Sequence, residues 1–151
     1  MDIYTISILI STLWVGPFWI AMLVNPKKNK TKELMSKPLF FIGPIVIWFL
    51  LMLLKPQGLI DFFNLGSHPD GFIIGMSKGL ATRLGVTATW AHMVAGDIFA
   101  TRWVWADGIK RNNNLLLLRI SIFFSVILMP LGVILHLIFR KKLTSLQPKL
   151  H

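Results

Sequence analysis

The sequence predicts an all-α integral membrane bundle of four transmembrane helices. Three observations carry that reading: an apolar composition, four long apolar segments, and basic residues gathered in short blocks beside them. Of the 151 residues, 54% are hydrophobic and 15% charged, and the mean hydropathy is +0.66. A soluble domain of this size carries about 25% charged residues. The length suits one domain over residues 1–151. Sixteen Lys and Arg against six Asp and Glu give a net charge of +10. Such an excess can mark nucleic-acid binding, but these lysines border apolar runs, as loops held against anionic headgroups do. The lipid bilayer is therefore the expected partner and nucleic acid is not. Cysteine is absent, which excludes disulfides, thiolate metal sites and cysteine nucleophiles.

Ile3–Val24 is apolar apart from small hydroxyls and reaches the length of about 20 residues that a crossing needs. It makes a poor cleavable signal. Asp2 stands where a basic start belongs, and no small-x-small site precedes Asn25-Pro26. Leu39–Leu54 is the second helix, short for a membrane unless its flanks reach outward. Pro44, after Gly43, marks a break or the first turn. In Lys55–Lys78, Phe62, Phe63 and Phe72 mix with Asp61, Asp70 and the turn-like Ser67-His68-Pro69-Asp70-Gly71. A helix lying in the interface and a surface loop both fit this segment. Gly85–Trp105 is the third helix and Leu115–Phe139 the fourth. Pro130 cannot donate a hydrogen bond to the Val126 carbonyl, so the fourth helix is expected to bend there. No internal repeat is evident.

Positive charge favours the cytoplasmic side. The first connection carries Lys27, Lys28, Lys30, Lys32 and Lys37, and Lys110 and Arg111 share its face in a four-crossing arrangement. The tail Arg140-Lys141-Lys142 then falls on the opposite face. The two signals conflict, and the larger block favours a cytoplasmic first connection.

The third helix holds most of the chemistry. An ionisable side chain near a bilayer centre costs about 2.5–3.5 kcal/mol on insertion scales. Asp97 and His92 lie near the middle of Gly85–Trp105, whereas Arg102 lies near its end and can snorkel to the interface. His92 shares a stripe with Gly85, Ala88, Ala95, Gly96 and Phe99, whose small members admit a helix or a flat ligand. That content places this helix in the middle of the bundle. Asp97 lies about 140° around the axis, with Trp90, Val94 and Thr101. A buried ion pair of Asp97 with Arg119 or Arg102 is the structural alternative to a catalytic role, and for His92 it is an interhelical hydrogen bond. His136 is expected at the interface. His68 and Asp70 offer too few ligands for a convincing metal site. No metal or cofactor is implied, and no phosphate loop, zinc motif or nucleophile elbow occurs.

The segment Trp90-Ala91-His92-Met93-Val94-Ala95-Gly96-Asp97-Ile98-Phe99-Ala100-Thr101-Arg102-Trp103, followed by Asp107, resembles the signature of the abscisic-acid-deficient-type, neoxanthin synthase-like membrane proteins. Pro17-Phe18-Trp19, Pro130-Leu131-Gly132 and Arg140 are similar to other parts of that family, while Met129 and Gly96 depart from it. The resemblance implies a protein of a thylakoid or plasma membrane in a phototroph, handling a carotenoid. No plastid transit segment is recognised, as expected of a bacterial, organelle-encoded or processed chain. The implied reaction is isomerisation of a xanthophyll epoxide, converting violaxanthin to neoxanthin. It needs an acid at the epoxide oxygen and a base for a carbon-bound proton. Asp97 is the candidate acid and His92 the candidate base, with Trp90, Phe99, Arg102 and Trp103 as candidate substrate-binding residues. A non-enzymatic subunit packing on a membrane-protein partner, on pigment or on its own copies fits the same stripes. Transport fits less well, because four helices enclose little water.

Overall fold

A computed structural model describes residues 1–64 and 68–141. Among the described residues the chain forms eight α-helices and no strand: α1 (Ile3–Val24), α2 (Asn29–Ser36), α3 (Leu39–Leu54), α4 (Pro56–Asn64), α5 (Phe72–Leu80), α6 (Arg83–Lys110), α7 (Leu115–Ile127) and α8 (Met129–Phe139). The all-α prediction holds. Two stretches, Ile3–Val24 and Asn29–Leu54, are long and apolar enough to cross a membrane.

Local chemistry sets the ends of these helices. Asp2 caps α1 by accepting from the Thr5 N–H at 2.8 Å, and Asn25 N closes the other end on the Ala21 carbonyl. The hydroxyls of Ser11 and Thr12 bond back to the carbonyls of Ser7 and Ile8, so neither needs a partner outside the helix. Extended backbone at Lys37 (φ −92°, ψ 147°), followed by Pro38, separates α2 from α3. Pro44 is continuous with α3, so it does not end the helix. The segment after Lys55 forms two short helices rather than a loop, and Phe62, Phe63 and Ile73 on them are exposed.

Helix α6 is central, packing against α1, α3, α7 and α8. Its neighbour α1 runs parallel to it. Asp2 bonds to Arg83, Thr12 to Trp90 and Pro26 to Trp105, in that order along both helices. Helix α3 runs the other way: Phe40 lies beside Phe99 at one end, and Ile45, Trp48 and Phe49 share a groove with His92 and Ala95 further on. Gly43 lies under the Trp14 indole, where any Cβ would strike the ring, and Trp14 Nε1 donates to the Leu39 carbonyl at 2.8 Å. Met22, Met35, Phe40, Ile98, Val104, Leu118 and Ile122 fill the core. The outer surface is apolar as well, with Leu13, Leu53 and Ile138 among its most exposed side chains. Apolar residues on every side of a helix suit a lipid environment better than water.

The segment Leu115–Phe139 corrects the expectation of a fourth crossing helix. It is two helices of 13 and 11 residues, about 20 and 17 Å long. Leu128, at φ −148° and ψ 81°, ends α7 and caps α8, and Pro130 falls in the first turn of α8, where a missing N–H costs no bond. The predicted bend is therefore a reversal. Gly132 packs on the backbone of Ser125 with no room for a Cβ, and Lys141 N donates to Asn113 Oδ1 at 3.0 Å. These contacts bring the end of α8 back beside the start of α7.

The reversal also removes the charge conflict. Lys27 Nζ reaches Asn112 Oδ1 at 3.2 Å, and Arg111 Nη1 reaches the Lys141 carbonyl at 2.9 Å. The first connection with its five lysines, the α6–α7 turn with Lys110 and Arg111, and the returning Arg140 and Lys141 therefore share one face. Glu33 and Asp107 are the carboxylates on it, and Lys142 lies outside the described residues. The opposite face carries Lys55, Lys78 and Arg83 against Asp2, Asp61 and Asp70, a formal balance of zero.

Candidate functional site

Helix α6 distributes the predicted site residues over three sides. His92 and Phe99 point to the α3 side, and both are exposed. His92 borders a groove of about 300 Å³ with Ile45, Trp48, Phe49 and Ala95. One imidazole thus interrupts an otherwise apolar wall. Phe99 extends the wall, edge-on to Phe41 at 6.0 Å between ring centroids. The small-residue stripe is not continuously covered: Ala88 is buried and Ala95 half-buried, but Gly96 is exposed with open space above it. That half of the stripe departs from the packed arrangement expected of it.

Trp90 and Asp97 face elsewhere. Trp90 Nε1 donates to Thr12 Oγ1 at 2.9 Å, tying α6 to α1. Asp97 is half-buried, and among the described residues nothing bonds or pairs with its carboxylate. The ion pair with Arg119 or Arg102, the structural alternative to a catalytic role, is not formed. Arg119 donates Nε to the Leu23 carbonyl and Nη2 to the Val24 carbonyl, at 3.0 and 2.9 Å. Arg102 donates Nε to the Met35 carbonyl at 2.8 Å and lies over the Phe40 ring, so its guanidinium is engaged by protein groups of α2 and α3. Both arginines serve the carbonyl ends of helices, which carry partial negative charge and lack partners of their own.

One unpaired donor lies at the depth of Asp97. The contacts of Thr12 with Trp90 and of Pro26 with Trp105 fix the α1–α6 register. Trp19 is midway between the first pair and the second, level with residues 97 and 98. Its indole N–H is buried with no partner among the described residues. By the packing of Gly108 on Leu118, Asp97 is also about level with the tip of the α7–α8 hairpin.

The third side holds a cluster that sequence reading did not assemble. Asp107 Oδ2 accepts from Arg111 Nε at 2.6 Å and from His136 Nε2 at 2.9 Å. His136 is 1% exposed, packed inside the protein at the basic end of the bundle, and Trp103 meets its ring edge-on at 5.3 Å. Asp107 lies past the apolar stretch of α6. Burial favours its neutral form, but the hydrogen bonds and charges of Arg111 and His136 outweigh that and hold the carboxyl below the usual carboxylate range. This cluster joins α6 to α8 and is structural in character. The spacing of Asp107 and Arg111, one helical turn apart, was a readable signal; the partnership with His136 was not. His68 and Asp70 are engaged locally, Asp70 N donating to His68 Nδ1 and Lys78 to Asp70 Oδ2.

Fold and site together define an apolar all-α bundle with a lone histidine in an outward groove and a separate polar latch. The ABA DEFICIENT 4-like family model matches residues 8–136, and the chain belongs to that family. It is 27% identical over 131 residues to Protein ABA DEFICIENT 4, chloroplastic, of Arabidopsis thaliana. That match covers 85% of this chain and 58% of the plant protein, so the chain spans little more than half of its relative. No solved structure matches it.

Proposed function

We propose that this chain is a multi-pass membrane protein that receives the ring end of a carotenoid, most specifically a xanthophyll epoxide, in the α3–α6 groove. Helices α1, α2–α3 and α6 supply three crossings, and α7–α8 enters and leaves by the basic face. Positive charge assigns that face to the cytoplasm or its organellar equivalent, within a thylakoid or plasma membrane of a phototroph. The observation that carries the reading is the groove: an imidazole on an apolar wall that opens to the side of the bundle, in a family whose plant relative is named for a deficiency of ABA. About 300 Å³ accommodates a ring while a polyene lies along the apolar outer surface. In this reading His92, which lines the groove, accepts a proton from such a ring. Asp97 opens toward α1 and the hairpin tip, so an acid and base acting together on one ring find no support in this arrangement.

The test is expression in cells supplied with violaxanthin, purification in mild detergent and pigment extraction. Stoichiometric xanthophyll, or neoxanthin in the extract, is expected from the wild type, and its loss from Ala95→Trp, which fills the groove. Pigment-free wild-type protein without conversion would refute the proposal. A second reading, a non-enzymatic subunit, is favoured by the open space above Gly96. It predicts a stoichiometric protein partner that is lost on Gly96→Leu.

A further inference from the structure

The basic face contains a built recess. Between the α1–α2 connection and the start of α7 lies a hollow of about 180 Å³, with Lys27, Lys28 and Arg119 around it and Val24, Asn25, Pro26 and Leu115 completing its wall. The cations come from two separate parts of the chain, brought together because Arg119 reaches across to the end of α1. That contact uses Nε and Nη2 of Arg119, leaving Nη1 without a described partner. Lys28 forms no described hydrogen bond through its ammonium, and Lys27 forms one, to Asn112. Below the hollow the α1–α7 seam is apolar and aromatic, with Trp19 and Phe123 at 6.1 Å between centroids. Three cations over an apolar seam match a molecule that is anionic at one end and apolar at the other.

We propose that this recess binds the phosphate-bearing headgroup of an anionic membrane lipid, with its acyl chains lying along the α1–α7 seam. The site rests on the membrane reading above, but not on the carotenoid. Its position agrees with the wider charge pattern, since the recess opens on the face to which the hairpin also returns Arg140 and Lys141. The surrounding lysines raise the local concentration of anionic lipid, and the recess gives one headgroup a defined place.

The experiment uses the full chain in dodecyl maltoside micelles, titrated with phosphatidylglycerol and, in parallel, with phosphatidylcholine. Melting temperature is the readout. Phosphatidylglycerol is expected to raise it saturably, and phosphatidylcholine is not. Lys27→Gln/Lys28→Gln is expected to weaken the apparent affinity on the order of thirtyfold, taking a typical contribution for each lysine at an anionic surface. Lys30→Gln/Lys32→Gln, on the same face but outside the recess, is expected to change it by less than about threefold. Equal stabilisation by both lipids would overturn the proposal. So would equal losses in the two double variants, or the same stabilisation by inorganic phosphate at matched concentration. Recovery of the chain in the aqueous fraction without detergent would instead refute the membrane reading on which the site depends.

Discussion

Asp107→Ala tests whether the C-terminal hairpin is held by the polar latch. The carboxylate is 16% exposed and receives two hydrogen bonds, one from a guanidinium at 2.6 Å and one from a histidine that is 1% exposed. Charge-assisted bonds contribute about 1.5–3 kcal/mol each, and stranding a buried partner costs about 3–5 kcal/mol. The exposed side of Arg111 can rehydrate, so the loss is dominated by His136, and a total of about 3 kcal/mol follows. For a chain of this size that is a melting shift on the order of 6–12 °C. Asp107→Asn retains one acceptor and should lose roughly half as much. The carboxyl is depressed in the folded state, so its contribution is complete above the unfolded value of about 3.9 and disappears as pH falls below it. The Asp107→Ala deficit should therefore shrink below about pH 4. The assay is detergent melting from pH 3 to 8, with a single cysteine introduced at Ser125 to report opening of the hairpin to maleimide. A melting shift below about 2 °C at neutral pH, with Ser125 still protected, would refute the latch.

Other predictions follow from close packing and from partners that are not ion pairs. Gly132→Ala should lower stability by about 1–3 kcal/mol because the new methyl meets the Ser125 backbone. Gly96→Ala, in open space, should be neutral or stabilise by up to about 1 kcal/mol, and thermal melting of the two variants checks both. Trp14→Phe should cost about 1 kcal/mol by losing the bond to Leu39, and Gly43→Ala should cost more, with the Trp14→Leu/Gly43→Ala double variant recovering part of the loss in a double-mutant cycle. Asp97→Asn and Arg119→Gln should be additive to within about 0.5 kcal/mol, since Arg119 serves the end of α1; coupling above about 1 kcal/mol would reinstate the ion pair.

The apolar runs made α1 and α3 readable to the residue, because in each case polar or basic residues and a proline follow the last apolar turn. The hairpin was not readable from hydropathy, since apolar residues continue through Leu128 and nothing local separates a kink from a reversal. What decides is nonlocal: the fit of Gly132 on Ser125 and the reach of His136 to Asp107. The signal present in the sequence was the charge conflict itself, which a returning hairpin removes. Within the candidate site, periodicity correctly separated His92 from Asp97 around α6. It could not find Trp48 and Phe49, which complete the groove from another helix. The arginine partners were equally hidden, because they are backbone carbonyls, and any residue supplies one.

The short hairpin gives the molecule unequal cross-sections at its two ends. In a bilayer with a hydrocarbon core of about 30 Å, a hairpin about 20 Å deep passes the midplane but stops short of the far interface. Near the basic face α1, α3, α6, α7 and α8 lie side by side; beyond the hairpin tip α1, α3 and α6 continue, and the short α4 and α5 join them only at the far end. On the proposed three-crossing arrangement, the helical cross-section within the bilayer is broader on the side that the hairpin enters. Lipid tails of the opposite leaflet must fill the volume beneath Leu128 and Pro130. On that arrangement, such a taper is accommodated with least strain where the basic side of the membrane is convex.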